Sequence, residues 1–342
     1  MENLVYYYPI GHEAHFEPGH PERPERVEAI RHALDEVGWW SGYRQIPPLE
    51  VPKEVLNSVH TKMYLNNLEE MCAHGQHIDS DTYTTYASWN LALHSAGGAI
   101  AVASAVWKSE AQSGFALTRP PGHHATRDQG MGFCLLNNVA LAAEYLIEKD
   151  GVNKVAIIDT DLHHGNGTQD IFWERGDVFY ISTHQSPLYP GSGSLREIGE
   201  GLGEGKTANF PLPPGSGDQA FTEIMDKIIL KLLDRHQPEM ILISFGFDPH
   251  WKDPLGHLQL TALGYRNIIQ SLKIWADDHC QGKMALFLEG GYDLEAGAAC
   301  SQAVVSALLR EEWQDPLGAF NHSEGYSWQQ TLNGAMELWK IV

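Results

Sequence analysis

The sequence predicts an α/β fold in which a mostly parallel β-sheet carries helices on both faces, a three-layer α/β/α arrangement. Five short apolar runs, most of them rich in β-branched residues, are typical of strands buried on both faces. Helical patterns lie between these runs, and this alternation favours a parallel sheet with helical crossovers. Since no linker or repeat divides the 342 residues, we expect a single domain over 1–342.

The predicted elements follow one another regularly. The part up to Trp107 holds Pro-rich loops and helical patterns. Its segment 82–107 has no Asp, Glu, Lys or Arg but contains Asn90 and His94, which predicts a buried helix rather than a membrane span. The predicted strands are 114–119, 155–159, 178–183, 240–247 and 284–288. The predicted helices are 135–149, 168–175, 218–236, 261–279 and 294–310.

The composition excludes several classes of protein. Lys and Arg number 23 against 44 Asp and Glu, a net charge of −21, whereas a nucleic-acid-binding surface needs a basic face. The four cysteines are widely spaced without a CxxC pair, which predicts reduced thiols in a cytoplasmic protein. The first residues do not have the pattern of a signal peptide. We expect neither nucleic acid nor membrane as a partner, and an oligomer is possible.

Polar residues follow the ends of the predicted strands. The run VAIIDTDLHHGNG (155–167) passes abruptly from apolar residues to Asp159, Asp161 and His163. Because residues i and i+2 of a strand share a face, Asp161 and His163 can both turn toward one divalent cation. Ligand sites form at the carboxyl ends of parallel strands. Polar residues at the other strand ends are His123, His124, His184, Asp248, Asp253, Glu289 and Tyr292.

Six motifs carry a resemblance to a known family. They are HPERPERV (20–27), RPPGHH (119–124), GFC (132–134), DTDLHHGNG (159–167), DPLG (253–256) and LEGGYDL (288–294). Together they resemble the zinc-dependent histone deacetylase superfamily, in particular the class II-like branch of bacterial deacetylases and acetylpolyamine amidohydrolases. The resemblance covers about 1–310 and implies the arginase–deacetylase fold, with an eight-stranded parallel sheet. Residues 311–342 match nothing and form a C-terminal extension of unknown role.

The resemblance implies one catalytic zinc ion. Its ligands are predicted to be Asp161, His163 and Asp253, three protein ligands with an open position. Asp248, which ends its strand directly, is the alternative to Asp253. Position five of the DxHxD pattern that holds two ions in the arginase branch is Gly165 here, which predicts a single catalytic metal. The resemblance also implies a structural potassium ion held by Asp159, Ser182 and nearby backbone.

The catalytic groups are predicted by the same resemblance. His123 pairs with Asp159 and His124 with Asn166, and a carboxylate partner raises the basicity of an imidazole more than an amide does. His124 is expected to act as general base and then general acid, with His123 as its electrostatic partner. Tyr292 is expected to donate a hydrogen bond to the developing oxyanion. The alternative for the two histidines is a second metal site.

Substrate-binding residues are predicted around a narrow channel. Phe133 and Tyr189 resemble an aromatic pair that lines it, a slot that suits a thin alkyl chain. Asp81 resembles an aspartate at the rim, with Asp79 as the alternative. Arg26 resembles the arginine of an internal acetate channel, with a surface ion pair as the alternative. The substrate-binding set is then Gly132, Phe133, Tyr189 and Asp81.

These expectations combine into a function. The chain is predicted to be a zinc-dependent deacetylase that hydrolyses N-acetyl amides of the acetyl-lysine type to acetate and a free amine. The first alternative is an acetylpolyamine amidohydrolase, since the shared motifs do not separate the two substrates. The alternative from another class is a weakly active module that binds acylated ligands.

Overall fold

The structure, a computed structural model, describes residues 2–320 and 324–341. Its centre is one eight-stranded sheet with the strand order β2-β1-β3-β8-β7-β4-β5-β6, in which every pair of neighbours is parallel. The predicted parallel eight-stranded sheet is confirmed. The strands are β1 Glu2–Tyr7, β2 Arg44–Gln45, β3 Ala111–Ala116, β4 Val155–Asp159, β5 Val178–Gln185, β6 Thr207–Leu212, β7 Met240–Phe245 and β8 Met284–Leu288.

Helices cover both faces of the sheet. Along β4, Ala156 and Ile158 belong to the apolar core on one face, while Val155 and Ile157 belong to the core on the other. This alternation explains why the strand is apolar without interruption. The helices are α1 Glu25–Glu36, α2 Lys53–Val59, α3 Lys62–His74, α4 Ser88–Trp107, α5 Asn138–Glu148, α6 Asn166–Phe172, α7 Asp218–Ile224, α8 Leu230–His236, α9 Ala262–His279, α10 Leu294–Leu309 and α11 Gln329–Leu338.

The helix α4 packs closely on the sheet and on the loop before α2. Its small residues allow this approach: a Cβ on Gly98 would lie 2.2 Å from the ring of Tyr7 in β1, and one on Gly97 would lie 2.0 Å from the carbonyl oxygen of Leu49. The prediction of a buried helix in this region is confirmed. Among the described residues, no helix combines the length and the apolar character needed to cross a bilayer.

Three strands were not predicted individually from the sequence, namely β1, β2 and β6. The strand β2 has two residues and β6 contains Pro211, so neither shows the apolar run of a central strand. The predicted helix 218–236 is observed as α7 and α8 joined by a π turn, Met225–Ile229.

The C-terminal extension packs on the edge of the sheet. Thr331 Oγ1 in α11 donates to the carbonyl oxygen of Pro211 in β6 at 2.7 Å, and Trp328, 2 % exposed, joins the apolar core. The Glu324 carboxylate accepts the N–H groups of Gln219 and Ala220, both at 2.9 Å, at the start of α7. The extension therefore covers β6 and caps a neighbouring helix.

Candidate active site

The sheet order brings four loops together. Strands β3, β8, β7 and β4 are consecutive neighbours near the centre of the sheet. All run in the same direction, so their carboxyl ends form one edge. The loops that leave them carry the two histidines, the Gly-Gly-Tyr turn, Asp248 and the Asp-x-His motif, respectively.

Three ligand-type side chains converge at this edge. His163 Nδ1 lies 3.2 Å from Asp161 Oδ1 and 3.2 Å from Asp248 Oδ2. One ligand atom of each residue lies within 4.8 Å of those of the other two. The other oxygen of Asp161 accepts the N–H of Gly290 at 2.8 Å. The sequence prediction of Asp161 and His163 as partners in one cluster therefore agrees with the geometry.

Asp253, the third predicted ligand, lies outside this cluster. Its Oδ1 accepts the N–H of Leu255 at 3.0 Å, and its Oδ2 accepts the N–H groups of Tyr292 at 2.6 Å and Asp293 at 3.2 Å. Both oxygens of Asp253 thus hold backbone N–H groups in place. Asp248, at the end of its strand, is the third member of the cluster with Asp161 and His163. The cluster favours Asp248, the alternative, as the third ligand, while the DPLG aspartate holds the turn of Tyr292; the ligand set remains a prediction.

Two glycines leave room for the carboxylates. A Cβ on Gly246 would lie 2.0 Å from Asp161 Oδ2, and one on Gly290 would lie 2.3 Å from Asp248 Oδ2. Real Cβ atoms do not approach an oxygen so closely, so any other residue would push the carboxylates out of place.

The two adjacent histidines have different partners. His123 Nδ1 lies 3.0 Å from Asp159 Oδ2, and His124 Nδ1 lies 2.7 Å from Asn166 Oδ1. These are the pairings that the resemblance implied. Since an amide or carboxylate oxygen can only accept, each Nδ1 carries a proton and each Nε2 is left for other contacts. The ring centroids are 4.0 Å apart, so both imidazoles stay on the same side of the loop.

The surroundings separate the pKa values of the two histidines. Burial lowers the pKa of His123, but the charges of Asp159 and Asp161 outweigh burial and raise it to about 10. Burial, followed by the charges of His123 and His163, holds the pKa of His124 well below its usual range. Near neutral pH, His123 is therefore charged while His124 is neutral and able to accept a proton at Nε2.

Glu289 is a site residue whose role was not predicted from the sequence. Its Oε2 accepts the N–H groups of Gly122 at 2.7 Å and His123 at 3.1 Å, and its Oε1 accepts the Ser244 hydroxyl at 3.2 Å. Burial raises the pKa of Glu289 to about 7. The available signal was its position in LEGGYDL, directly after β8. Glu289 joins the loop of the two histidines to the loop of Tyr292.

Arg26 is buried directly behind Tyr292. Its Cζ lies 4.8 Å from the centroid of the Tyr292 ring, and its Nε donates to the carbonyl oxygen of Gly291 at 2.6 Å. A second nitrogen donates to the carbonyl oxygen of Glu289, and a third to Glu22 Oε1 at 3.0 Å. Arg26 is thus no surface ion pair. Its role in an acetate channel remains a prediction.

A pocket of about 210 Å³ opens above these groups. Phe133 and Tyr189 line it, with the Phe133 ring 5.8 Å from that of Tyr292 and the Tyr189 ring 5.2 Å from that of His124. Asp81 also lines the pocket. Its alternative, Asp79, accepts the N–H of Asp81 at 3.1 Å. The lining is Asp81, Pro121, His123, His124, Gly132, Phe133, Cys134, His163, Tyr189, Leu255, Gly290 and Tyr292.

The residues predicted to hold potassium have partners within the protein. Asp159 Oδ1 accepts the N–H of Asp161 at 3.2 Å, and its Oδ2 accepts the Tyr180 hydroxyl at 3.2 Å as well as His123. Ser182 Oγ lies 2.8 Å from His184 Nδ1. Both residues lie behind the Asp-x-His motif, and the potassium site remains a prediction.

Comparisons with known proteins point to one family. Residues 20–308 match the model of the histone deacetylase domain. The chain is 44 % identical over 294 residues to a probable deacetylase of Archaeoglobus fulgidus, covering 85 % of this chain and 82 % of that protein. It is 38 % identical over 308 residues to a histone deacetylase-like amidohydrolase of Pseudomonas aeruginosa, covering 88 % of this chain and 80 % of that protein.

A solved structure gives the same result. The crystal structure of the HDA15 HD domain superposes with a TM-score of 0.90 at 34 % identity, over 99 % of this chain and 95 % of that one. Fold and sequence similarity therefore agree, and the chain belongs to the histone deacetylase family of deacetylases and amidohydrolases.

Proposed function

We propose that this protein is a zinc-dependent deacetylase that hydrolyses N-acetyl amides of the acetyl-lysine type. The observation that carries the proposal is the cluster of Asp161, His163 and Asp248, whose His163 lines a pocket together with His124 and Tyr292. Two carboxylates and one imidazole with an open side are a donor set typical of catalytic zinc.

The cluster fits a zinc ion in spacing and in charge. With metal–ligand distances of about 2.0 Å, tetrahedral ligands lie about 3.3 Å apart, and the two separations from His163 Nδ1 are 3.2 Å. Asp248 Oδ2 is buried without a hydrogen-bond partner. Burial and the charge of Asp161 raise the pKa of Asp248 above its usual range. A divalent cation would relieve both costs.

The chain's own residues then divide the proton transfers. A bound zinc ion supplies a Lewis acid that polarises the acetyl carbonyl and acidifies water. His124 accepts a proton at Nε2 as the water oxygen bonds to the carbonyl carbon, because Asn166 occupies Nδ1. The charged His123 ring beside it stabilises the negative charge that develops.

Tyr292 and His124 complete the reaction. The Tyr292 hydroxyl donates to the oxyanion, since burial keeps its pKa well above the usual range and the phenol protonated. His124 then returns its proton to the amide nitrogen as the C–N bond breaks, which releases acetate and a free amine. The two histidines thus act as a proton carrier and a fixed charge rather than as a second metal site.

The pocket fits one thin acylated chain. Phe133 and Tyr189 provide apolar walls, and Asp81 lies in the lining as a carboxylate that can accept N–H groups of the substrate.

We also propose a cytoplasmic location, because Cys72, Cys134, Cys280 and Cys300 are buried free thiols.

The test measures acetate and amine release by the purified protein from an acetyl-lysine peptide and from an acetylated diamine, with zinc content determined on the same preparation. We expect hydrolysis of the peptide, loss of activity on chelation and recovery with zinc. Faster turnover of the diamine would favour an acetylpolyamine amidohydrolase. Binding of either compound without acetate release would indicate an acyl-binding module.

The His124→Ala variant tests the chemistry. It should retain zinc and lose activity by about 10²–10⁴-fold, the usual contribution of general acid–base catalysis. Near-normal turnover by this variant would exclude the proposed role of His124.

A further inference from the structure

The loop between β5 and β6 carries Tyr189 and is fixed by a polar residue of its own. Glu197 Oε1 accepts the N–H of Ser194 at 2.9 Å, and Glu197 Oε2 accepts the N–H of Gly193 at 3.0 Å. The same Oε2 accepts Nε2 of Gln169, in α6, at 2.7 Å. Glu197 therefore closes the turn that follows Tyr189 and joins it to α6.

The hydrogen bonds continue from α6 to the metal-ligand segment. Since Gln169 Nε2 donates to Glu197, its Oε1 is the acceptor for His164 Nε2 at 3.1 Å. His164 Nδ1 must then accept, and the Ser192 hydroxyl lies 2.8 Å from it. We call this chain the loop relay; it consists of Glu197, Gln169, His164 and Ser192, and it begins and ends in the Tyr189 loop.

The loop also lies directly against the imidazoles beneath it. Gly193 has φ +87°, and a Cβ there would lie 2.6 Å from His164 Cγ and 2.6 Å from His184 Nε2. His184 Nε2 in turn lies 3.0 Å from the carbonyl oxygen of Gly193. This close contact ties the position of the loop to the ends of β4 and β5.

The Tyr189 ring depends on this attachment. It meets the rings of His124 at 5.2 Å and His163 at 6.3 Å on its inner side. The residue is 39 % exposed, so packing of the ring alone holds it only in part. The backbone of the loop therefore sets the position of the ring, and with it the width of the pocket.

We propose that the loop relay positions Tyr189 against the segment that carries His163. Glu197 and Gln169 are positioning residues: they touch neither the pocket nor the metal ligands and act through Tyr189. The inference deepens the proposed function, since it assigns to these residues the fit of the substrate's alkyl chain. Weakening the relay should therefore impair substrate binding more than the chemical step.

The test is a double-mutant cycle on Glu197→Ala, Tyr189→Ala and the double variant, assayed on an acetyl-lysine peptide. Glu197→Ala should raise KM by about five-fold or more while kcat stays within about two-fold. The double variant should have the KM of Tyr189→Ala alone, because nothing remains to be positioned. A purely structural role would instead lower the active fraction, which reduces kcat and leaves KM unchanged.

Glu204→Ala is the matched control, an equal charge change at an exposed residue of the same loop. Amide hydrogen exchange over 187–191 gives a readout that is independent of turnover, and we expect faster exchange in Glu197→Ala only. If the unaltered protein hydrolyses nothing, the proposed function fails and hydrogen exchange alone decides on the relay. The inference would be overturned if Glu197→Ala had the same hydrogen exchange and KM as Glu204→Ala. It would also be overturned if the increase in KM of the double variant equalled the product of the increases in the two single variants.

Discussion

At the scale of single residues, two aspartates after β7 have separate tasks. Asp248 faces His163 and has an oxygen without a hydrogen-bond partner, whereas both oxygens of Asp253 accept backbone N–H groups. A buried oxygen without a hydrogen-bond partner gains most from a bound cation, because its charge is otherwise uncompensated. Metal affinity should therefore depend on Asp248, and the placement of Tyr292 on Asp253.

Matched substitutions separate these tasks. Asp248→Asn should lower zinc affinity by about 100-fold or more, because one charged ligand is lost. Asp253→Asn should keep its zinc but turn over more slowly, because the N–H groups of Tyr292 and Asp293 lose their charged acceptor. Elemental analysis after dialysis against a chelator measures the first effect, and kcat the second. Zinc loss in Asp253→Asn alone would instead identify Asp253 as the third ligand, as the sequence predicted.

Neighbouring site residues were predictable from the sequence where a single local motif brings them together. Asp161 and His163 lie two positions apart at the end of one strand, so their convergence follows from strand geometry. The choice between Asp248 and Asp253 depends on how a loop folds back, and neither its turn nor the N–H groups of Tyr292 and Asp293 can be seen in the local sequence.

At the scale of elements, the turn before Phe133 shapes the wall of the pocket. Gly132 and Phe133 both have a left-handed backbone, with φ +54° and φ +69°. A Cβ on Gly132 would lie 2.5 Å from Cδ2 of His124. The turn can therefore approach the His124 ring only because it has a glycine there.

Gly132→Ala should lower kcat by about 10²-fold. The added methyl group would push the His124 ring away from the position in which it can exchange a proton with the substrate. Gly151→Ala is the control: its backbone is also left-handed, at φ +76°, but the space around its Cβ is open to 4 Å. It should cost about 1 kcal/mol of stability and leave kcat unchanged. Equal kcat in the two variants would show that contact with His124 is unimportant.

Central strands were easier to predict than edge strands. β4 and β8 have the predicted bounds, because burial on both faces leaves a continuous apolar run. β2 is short and exposed, and β6 contains a proline, so their pairing depends on neighbours distant in sequence. Local patterns carry no information about such neighbours.

At the scale of the whole molecule, a buried charged cluster joins the N-terminal segment to the loop of the histidines. Glu22 accepts hydrogen bonds from Arg119 Nε at 2.7 Å and from Arg26 at 3.0 Å. Burial opposes ionisation, but the two arginines outweigh it and lower the pKa of Glu22 to about 2. Burial also lowers the pKa of His15, beside Glu22, to about 3.

Both shifts make the fold sensitive to acid. Because the folded pKa of Glu22 lies below its unfolded value of 4.5, its contribution is complete above that value and is lost as the pH falls toward 2. The contribution amounts to about 3 kcal/mol. Denaturant unfolding from pH 7 to pH 2.5 should show this loss in the unaltered protein and in the exposed control Glu36→Gln. Glu22→Gln should be less stable at pH 7, and its free energy of unfolding should fall less steeply as the pH decreases. An equally steep fall in this variant would contradict the assignment.

The C-terminal segment has a consequence for the molecule as a whole. The family match stops at residue 308, yet α11 lies over β6, which pairs with β5 alone among the strands described. A chain that ends at residue 308 would keep every predicted catalytic group but would lose α11, which covers β6 at the edge of the sheet. Unpaired backbone there could recruit strands from other copies, so we expect self-association, rather than inactivity, as the first defect of such a chain.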